Sequence, residues 1–259
     1  MAEGPRKFGK PPLVEVYCEF VFMPAGGERW QGLRVCEFLR RIGGQYPNQE
    51  MLALGSGQTH LHDEDDSEPF GVVDLDSPYP LFRFRSEDGS TIVQVGENLL
   101  VVNQLPPYYG WGNFFPRIIE ALEGYLNIWG PTYVAQAFLH YIDRVEVPER
   151  EFALKDYFNL VPVLPEGFDR PFTNLMLSMD LEGCGKGDVL SVSIRQDTAI
   201  NPDGNAFLFN WDYGSTAPIP LDTGLDGIAE WLEVAHGCCW DFFQAIFTDR
   251  CIALFEPTR

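Results

Sequence analysis

The chain has 259 residues, 45% hydrophobic and 14% aromatic, and carries a formal net charge of −20. That aromatic load excludes a disordered chain, and the length suits one large domain or two closely packed halves. Apolar runs such as Leu99-Leu100-Val101-Val102 are far shorter than the roughly 20 residues of a bilayer helix, so no membrane span is expected.

Residues 1–12 read as a flexible leader: Met1 to Lys10 is basic and contains Gly and Pro, and no apolar stretch of signal-peptide length follows it. A cytoplasmic protein is therefore expected. Leu13 to Met23 alternates as a strand, with Val14, Val16, Cys18, Phe20 and Phe22 on one side. Glu15, Tyr17, Glu19 and Val21 form a half-exposed opposite side. Arg29 to Ile42 then has helical spacing, stopped by Gly43-Gly44. Asn48 to Ser77 is the stretch poorest in regular pattern: a short strand near Met51 to Leu54, then surface loop.

Leu81 to Arg85, Thr91 to Val95 and Leu99 to Gln104 are strands of a meander, joined through Glu87-Asp88-Gly89 and Glu97-Asn98. Pro106-Pro107 ends the ladder because proline lacks an N–H donor. Phe114 to Trp129 has an apolar helical stripe, closed by Gly130-Pro131, and Tyr133 to Val147 is a long strand ended by Pro148. The second part uses the same grammar. A short helix at Leu154 to Asn159 precedes strands at Thr173–Glu182, Asp188–Thr198 and Asn205–Tyr213, and Leu225 to Phe247 is the longest helical pattern. The expectation is an α+β fold, with antiparallel meander sheets packed on long amphipathic helices in two related halves, 13–150 and 151–259. No sequence repeat is clear enough to establish duplication.

Cysteines stand at 18, 36, 184, 238, 239 and 251 without metal-type CxxC spacing, and reduced, mostly buried thiols are expected. Charge is uneven. Met51 to Phe82 holds seven acids and Gln196 to Asp249 nine, with no Lys or Arg in either, whereas residues 1–41 hold seven of the 18 bases. Such a field repels nucleic-acid phosphates and disfavours DNA or RNA binding. A protein partner with a basic surface suits it, as does a purely solubilising role.

Several segments together carry a family resemblance: Pro11-Pro12-Leu13-Val14-Glu15-Val16, Val93-Gln94-Val95-Gly96, Leu99-Leu100-Val101-Val102-Asn103, Tyr108 with Gly110-Trp111, and Tyr141-Ile142-Asp143-Arg144-Val145. Tyr157-Phe158, Trp231-Leu232, Ala235-His236 and Phe242 extend it nearly end to end. The chain resembles a sporadically distributed, poorly characterised prokaryotic family of similar length. The resemblance implies no established activity, but a setting in mobile or defence loci, including accessory genes beside CRISPR systems. His140 and Asp143 depart from the Arg and Asn that the family often has there.

The sharpest chemical candidate is His60-Leu61-His62-Asp63-Glu64-Asp65-Asp66. His60 and His62 point to one side of an extended segment and Asp63 or Glu64 could complete a metal site, giving a metal-dependent hydrolase or nuclease. The spacing is not that of an EF-hand, so a solvated acidic loop is the plainer interpretation. On the central strand Gln136, His140 and Arg144 share a side and form a candidate ligand groove; a cross-sheet ion-pair network is the plainer explanation of them. Tyr108, Tyr109 and Trp111 are candidate partner-binding anchors, unless the rings lock the corner onto the core. His236 lacks a well-placed catalytic partner, and Cys238 faces away from it on the same helix. Gly183-Cys184-Gly185-Lys186-Gly187 lacks the ending of a phosphate loop, and no GxSxG, HExxH, Walker or GxGxxG pattern occurs. The leading expectation is a non-enzymatic adaptor or accessory protein that binds a protein partner and needs no cofactor. A small-ligand binder in the curved sheet is the third possibility.

Overall fold

A computed structural model describes residues 7–23, 32–42, 44–52, 80–167, 173–222 and 224–258. In chain order its elements are β1 (Lys7–Phe8), β2 (Leu13–Phe22), α1 (Val35–Arg41), β3 (Asn48–Leu52), β4 (Leu81–Arg85), β5 (Thr91–Gly96), β6 (Leu99–Gln104) and α2 (Trp111–Trp129). Then come β7 (Tyr133–Val147), β8 (Met176–Glu182), β9 (Val189–Asp197), β10 (Asn205–Gly214), β11 (Ile219–Pro220), α3 (Asp226–Ile246), α4 (Asp249–Leu254) and β12 (Pro257–Thr258). The fold is mixed α and β and is dominated by one large antiparallel sheet. Its ten strands run β3-β4-β5-β6-β2-β7-β10-β9-β8, with β11 pairing beside β7. Outside it, β1 pairs with β12, and Phe8 packs among Trp240, Phe243 and Phe255.

The period-two alternation of the strands divides the sheet into two faces. One carries Val16, Cys18 and Phe20 of β2, Val93 and Val95 of β5, Leu139 and Val145 of β7, and Phe209 and Trp211 of β10, all in the main core. The helices supply the other side of that core. Phe114, Ile118, Leu122 and Tyr125 of α2 recur every three or four residues and are buried, as are Ile228, Leu232, Ala235, Cys239, Phe243 and Ile246 of α3. Burying a side chain of this size contributes roughly 1.5–3 kcal/mol, so this layer dominates cohesion.

Several local expectations shift. In the described part of the first expected helix, the 3₁₀ turn Gly32–Arg34 leads into α1, and Leu154–Asp156 is a 3₁₀ turn rather than a helix. Helix α2 begins at Trp111, where Gly110 adopts φ 90 before the first turn. Pro116 therefore lies inside the helix, where it lacks an N–H. The β5–β6 turn is closed by Asn98 at φ 56, a left-handed position that asparagine tolerates better than most side chains. Glu15 and Tyr17 are buried rather than half-exposed.

The expectation of reduced thiols is also corrected. Cys184, in the β8–β9 turn, is disulfide-bonded to Cys238 of α3, while Cys18, Cys36, Cys239 and Cys251 are free. Sequence could not pair them, because 54 residues separate the two and only the folding of β8–β10 against α3 brings them together. The turn is fastened a second way. Asp188 accepts from the Tyr213 hydroxyl at 2.9 Å and from Trp231 Nε1 at 3.1 Å. No helix among the described residues is long and apolar enough to cross a membrane.

Candidate binding surface

The helix-free face of the sheet carries most polar side chains of the strands, and its two ends differ. Over β3, β4, β5, β6 and β2 these side chains form a directional chain. Arg83 Nη1 lies 3.6 Å from Glu50, and Arg83 Nε donates to Gln94 Oε1 at 3.5 Å. Gln94 Nε2 donates to Asn103 Oδ1 at 3.1 Å, and Asn103 Nδ2 donates to Glu15 Oε1 at 2.6 Å. Each link joins neighbouring strands, and Arg83, Gln94, Asn103 and Glu15 are all buried. Around them Tyr17, Leu81, Leu99 and Val101 make a second apolar cluster. Here the polar groups are bonded to one another from strand to strand.

Strands β7, β10, β9 and β8 continue the same face toward solvent. On it lies the groove expected from sequence, Gln136, His140 and Arg144.

 On β7 these three residues do line up along one side of the strand, as their spacing requires. Gln136 is exposed, whereas His140 and Arg144 are half-buried and already engaged. His140 Nδ1 lies 2.7 Å from Asp212 Oδ1 of β10, and its ring stacks on Tyr17 of β2 at 4.2 Å and 13°. Arg144 Nε donates to Asp197 at 3.2 Å, and its guanidinium also pairs with Glu146. Arg144 thus belongs to an ion-pair network, and His140 is the centre of the face. Glu19, one position along β2, is held above the usual carboxylate range by burial, with His140 pulling it partly back.

Toward the edge the face opens. Asn210 donates to Ser193 at 2.9 Å and Ser191 to Asp180 at 2.6 Å, while Ser178, Asp180, Glu182 and Arg195 are exposed. Met176 is 80% exposed on the edge strand, an apolar group amid polar ones. With Arg144 neutralised by its two carboxylates, Glu19, Asp180, Glu182 and Asp212 outweigh Arg195, so this surface attracts cations. Sequence reading identified the β7 side but not Tyr17, Asp212, Asp180 or Ser191. Alternation gives the side each residue takes, but only strand register decides which residues meet.

The aromatic corner is placed differently. Tyr109 is 66% exposed, but Tyr108 and Trp111 are half-buried and pack against the main core. Trp111 stacks on His236 at 4.4 Å and 11°, and its Nε1 donates to Glu233 at 3.2 Å. His236 Nδ1 lies 2.8 Å from the Tyr141 hydroxyl. Burial lowers His236 to about 4, so at neutral pH the imidazole is uncharged and weakly basic. Burial also pushes the Tyr108 and Tyr141 hydroxyls and the Cys239 thiol up, keeping all three protonated. Asp143, fully enclosed beside this cluster, accepts from Trp211 Nε1 at 2.6 Å, and burial raises it to about 7. His236, Tyr108, Tyr141 and Cys239 are thus uncharged at neutral pH, and the stack of Trp111 on His236 fixes the corner to α3; Tyr109 alone of the corner's three aromatics faces solvent.

His60, His62 and Asp63 lie outside the described residues. Among the described residues no group of three or more His, Cys, Asp or Glu is placed to hold a metal ion. In comparison with known proteins, no family model and no curated protein matches the chain.

Proposed function

We propose that this chain is a non-enzymatic accessory protein whose partner is a protein with a basic surface, docked on the helix-free face of β7, β10, β9 and β8. The observation that carries the reading is the opening of that face at the edge, where Met176, Ser178, Asp180 and Glu182 reach solvent from a sheet backed by helices. A rigid strand surface with acidic groups around an apolar anchor favours steering and register with a basic partner. The strand order supports two related halves that meet where β2 lies beside β7. Strands β6 and β10 flank that pair, β5 and β9 follow, and β4 and β8 come next. In this reading the amphipathic helices α2 and α3 are equivalent backing elements. A prokaryotic defence or stress pathway is the setting that the family resemblance implies.

Affinity capture from the native host tests the reading, with the wild-type chain beside Asp180→Lys/Glu182→Lys. The wild type is expected to retain one protein that the double variant loses, while both unfold within about 0.5 kcal/mol of each other. Equal capture by both would remove the proposed surface, and no specific capture by the wild type would remove the adaptor reading.

A further inference from the structure

A cleft of about 410 Å³ lies on the helix side of the sheet, away from the docking surface. Its lining includes Tyr46, Ser86, Glu87, Asp88, Thr91 and Arg117. The volume is within the range of small-molecule sites, roughly 300–1,000 Å³. Arg117 projects from α2 and is fixed by neutral oxygens. Its Nη1 donates to Thr91 Oγ1 and, at 3.3 Å, to Gln104 Oε1. Gln104 is itself locked, because its Nε2 donates to the carbonyls of Ser90 at 3.0 Å and Leu105 at 2.8 Å. That leaves its Oε1 directed at Thr91 and Arg117. Arg83, Arg144 and Arg250 each have a carboxylate in salt-bridge range, whereas among the described residues Arg117 forms no such pair. A planar guanidinium held in this way presents its remaining donors in fixed directions, the geometry that suits a carboxylate.

The β4–β5 turn supplies the opposite charge. Asp88 accepts from Ser86 Oγ at 2.6 Å and from Ser90 N at 3.0 Å, which holds its carboxyl below the usual range and keeps it anionic. Glu87 beside it is exposed. A multiply charged anion entering the cleft would meet these two carboxylates, and a simple cation would meet Arg117. A molecule carrying both charges satisfies both ends. We propose that the cleft binds a small zwitterion of the amino-acid class, its carboxylate on Arg117 and its ammonium toward Asp88 and Glu87. Tyr46, itself buried, lines the cleft beside Arg117. This site is independent of the partner surface, and either can fail without the other.

The test is calorimetric titration and thermal unfolding of the full chain with each proteinogenic amino acid, and with acetate, methylammonium and inorganic phosphate as probes that carry charge of one sign only. At least one amino acid is expected to bind and raise the unfolding midpoint, with all three single-sign probes weaker by about tenfold or more. Arg117→Gln is expected to reduce that affinity by at least about tenfold. Because Arg117 also supports Thr91 and Gln104, Glu87→Lys provides a second variant at an exposed position; it should weaken binding while leaving the unliganded midpoint unchanged. Absence of binding by every amino acid, equal binding of acetate or phosphate, or unchanged affinity in both variants would overturn the proposal.

Discussion

The two ends of the helix-free face have the same backbone and the same alternation, yet their polar residues have opposite fates. Over β4, β5, β6 and β2, Arg83, Gln94, Asn103 and Glu15 are enclosed and joined in sequence by hydrogen bonds. Over β9 and β8, Ser191 and Asp180 make one local contact and the neighbouring groups meet water. A buried polar group that loses its partner costs far more than a solvated one, so the enclosed chain is architecture. The solvated end is available to a partner at little cost in stability.

The largest effect expected of a buried polar group is on the helix side, at Asp143. Its carboxyl titrates near 7 when folded, raised from 3.8 by burial. The folded state therefore favours the protonated acid: the stability is fully present below the unfolded value and is lost as pH rises through 7. Asp143→Asn keeps an acceptor for Trp211 and should exceed the wild type in stability above neutral pH by on the order of 4 kcal/mol, a gap that closes toward acid. Denaturant unfolding across that window checks it, and a parallel pH profile in the variant would contradict it.

Next in size is the Cys184–Cys238 bond, which closes a separation of 54 residues. Cys184→Ser/Cys238→Ser should cost roughly 2–4 kcal/mol by chemical denaturation. Hydrogen exchange should quicken in β8 and β9 before it does in β5 and β6, since the bond ties the open end to α3. Uniform loosening of the whole sheet would break the distinction between the ends. Asn103→Ala is expected to cost roughly 2–3 kcal/mol, because it strips a donor from Glu15 and an acceptor from Gln94. At the open end, Ser191→Ala should change stability by less than about 0.5 kcal/mol. Equal losses at Asn103 and Ser191 would mean that the contrast in burial has no energetic consequence.

Much of the sheet was legible because strand alternation and turn residues are local signals. The Glu97-Asn98 turn, the proline stop at Pro106-Pro107 and the length of β7 follow from neighbours in sequence. The solvated face was legible only as a side of β7. His140 meets Tyr17 and Asp212 through pairings to β2 and β10, which are distant in sequence. Gln94 and Asn103 are polar residues in otherwise apolar strands, but nothing local says that they connect through Arg83 and Glu15. The corner residues divide for a similar reason. Tyr109 faces water, whereas Trp111 is captured by His236 from α3, a contact made only after the sheet and helices assemble.

Hydrogen-exchange footprinting of the chain with its captured native partner tests the central claim most directly. Protection is expected to be concentrated in residues 176–197, with β5 and β6 unchanged between the free and bound chain. Protection confined to other elements, with β8 and β9 exchanging as in the free chain, would contradict it.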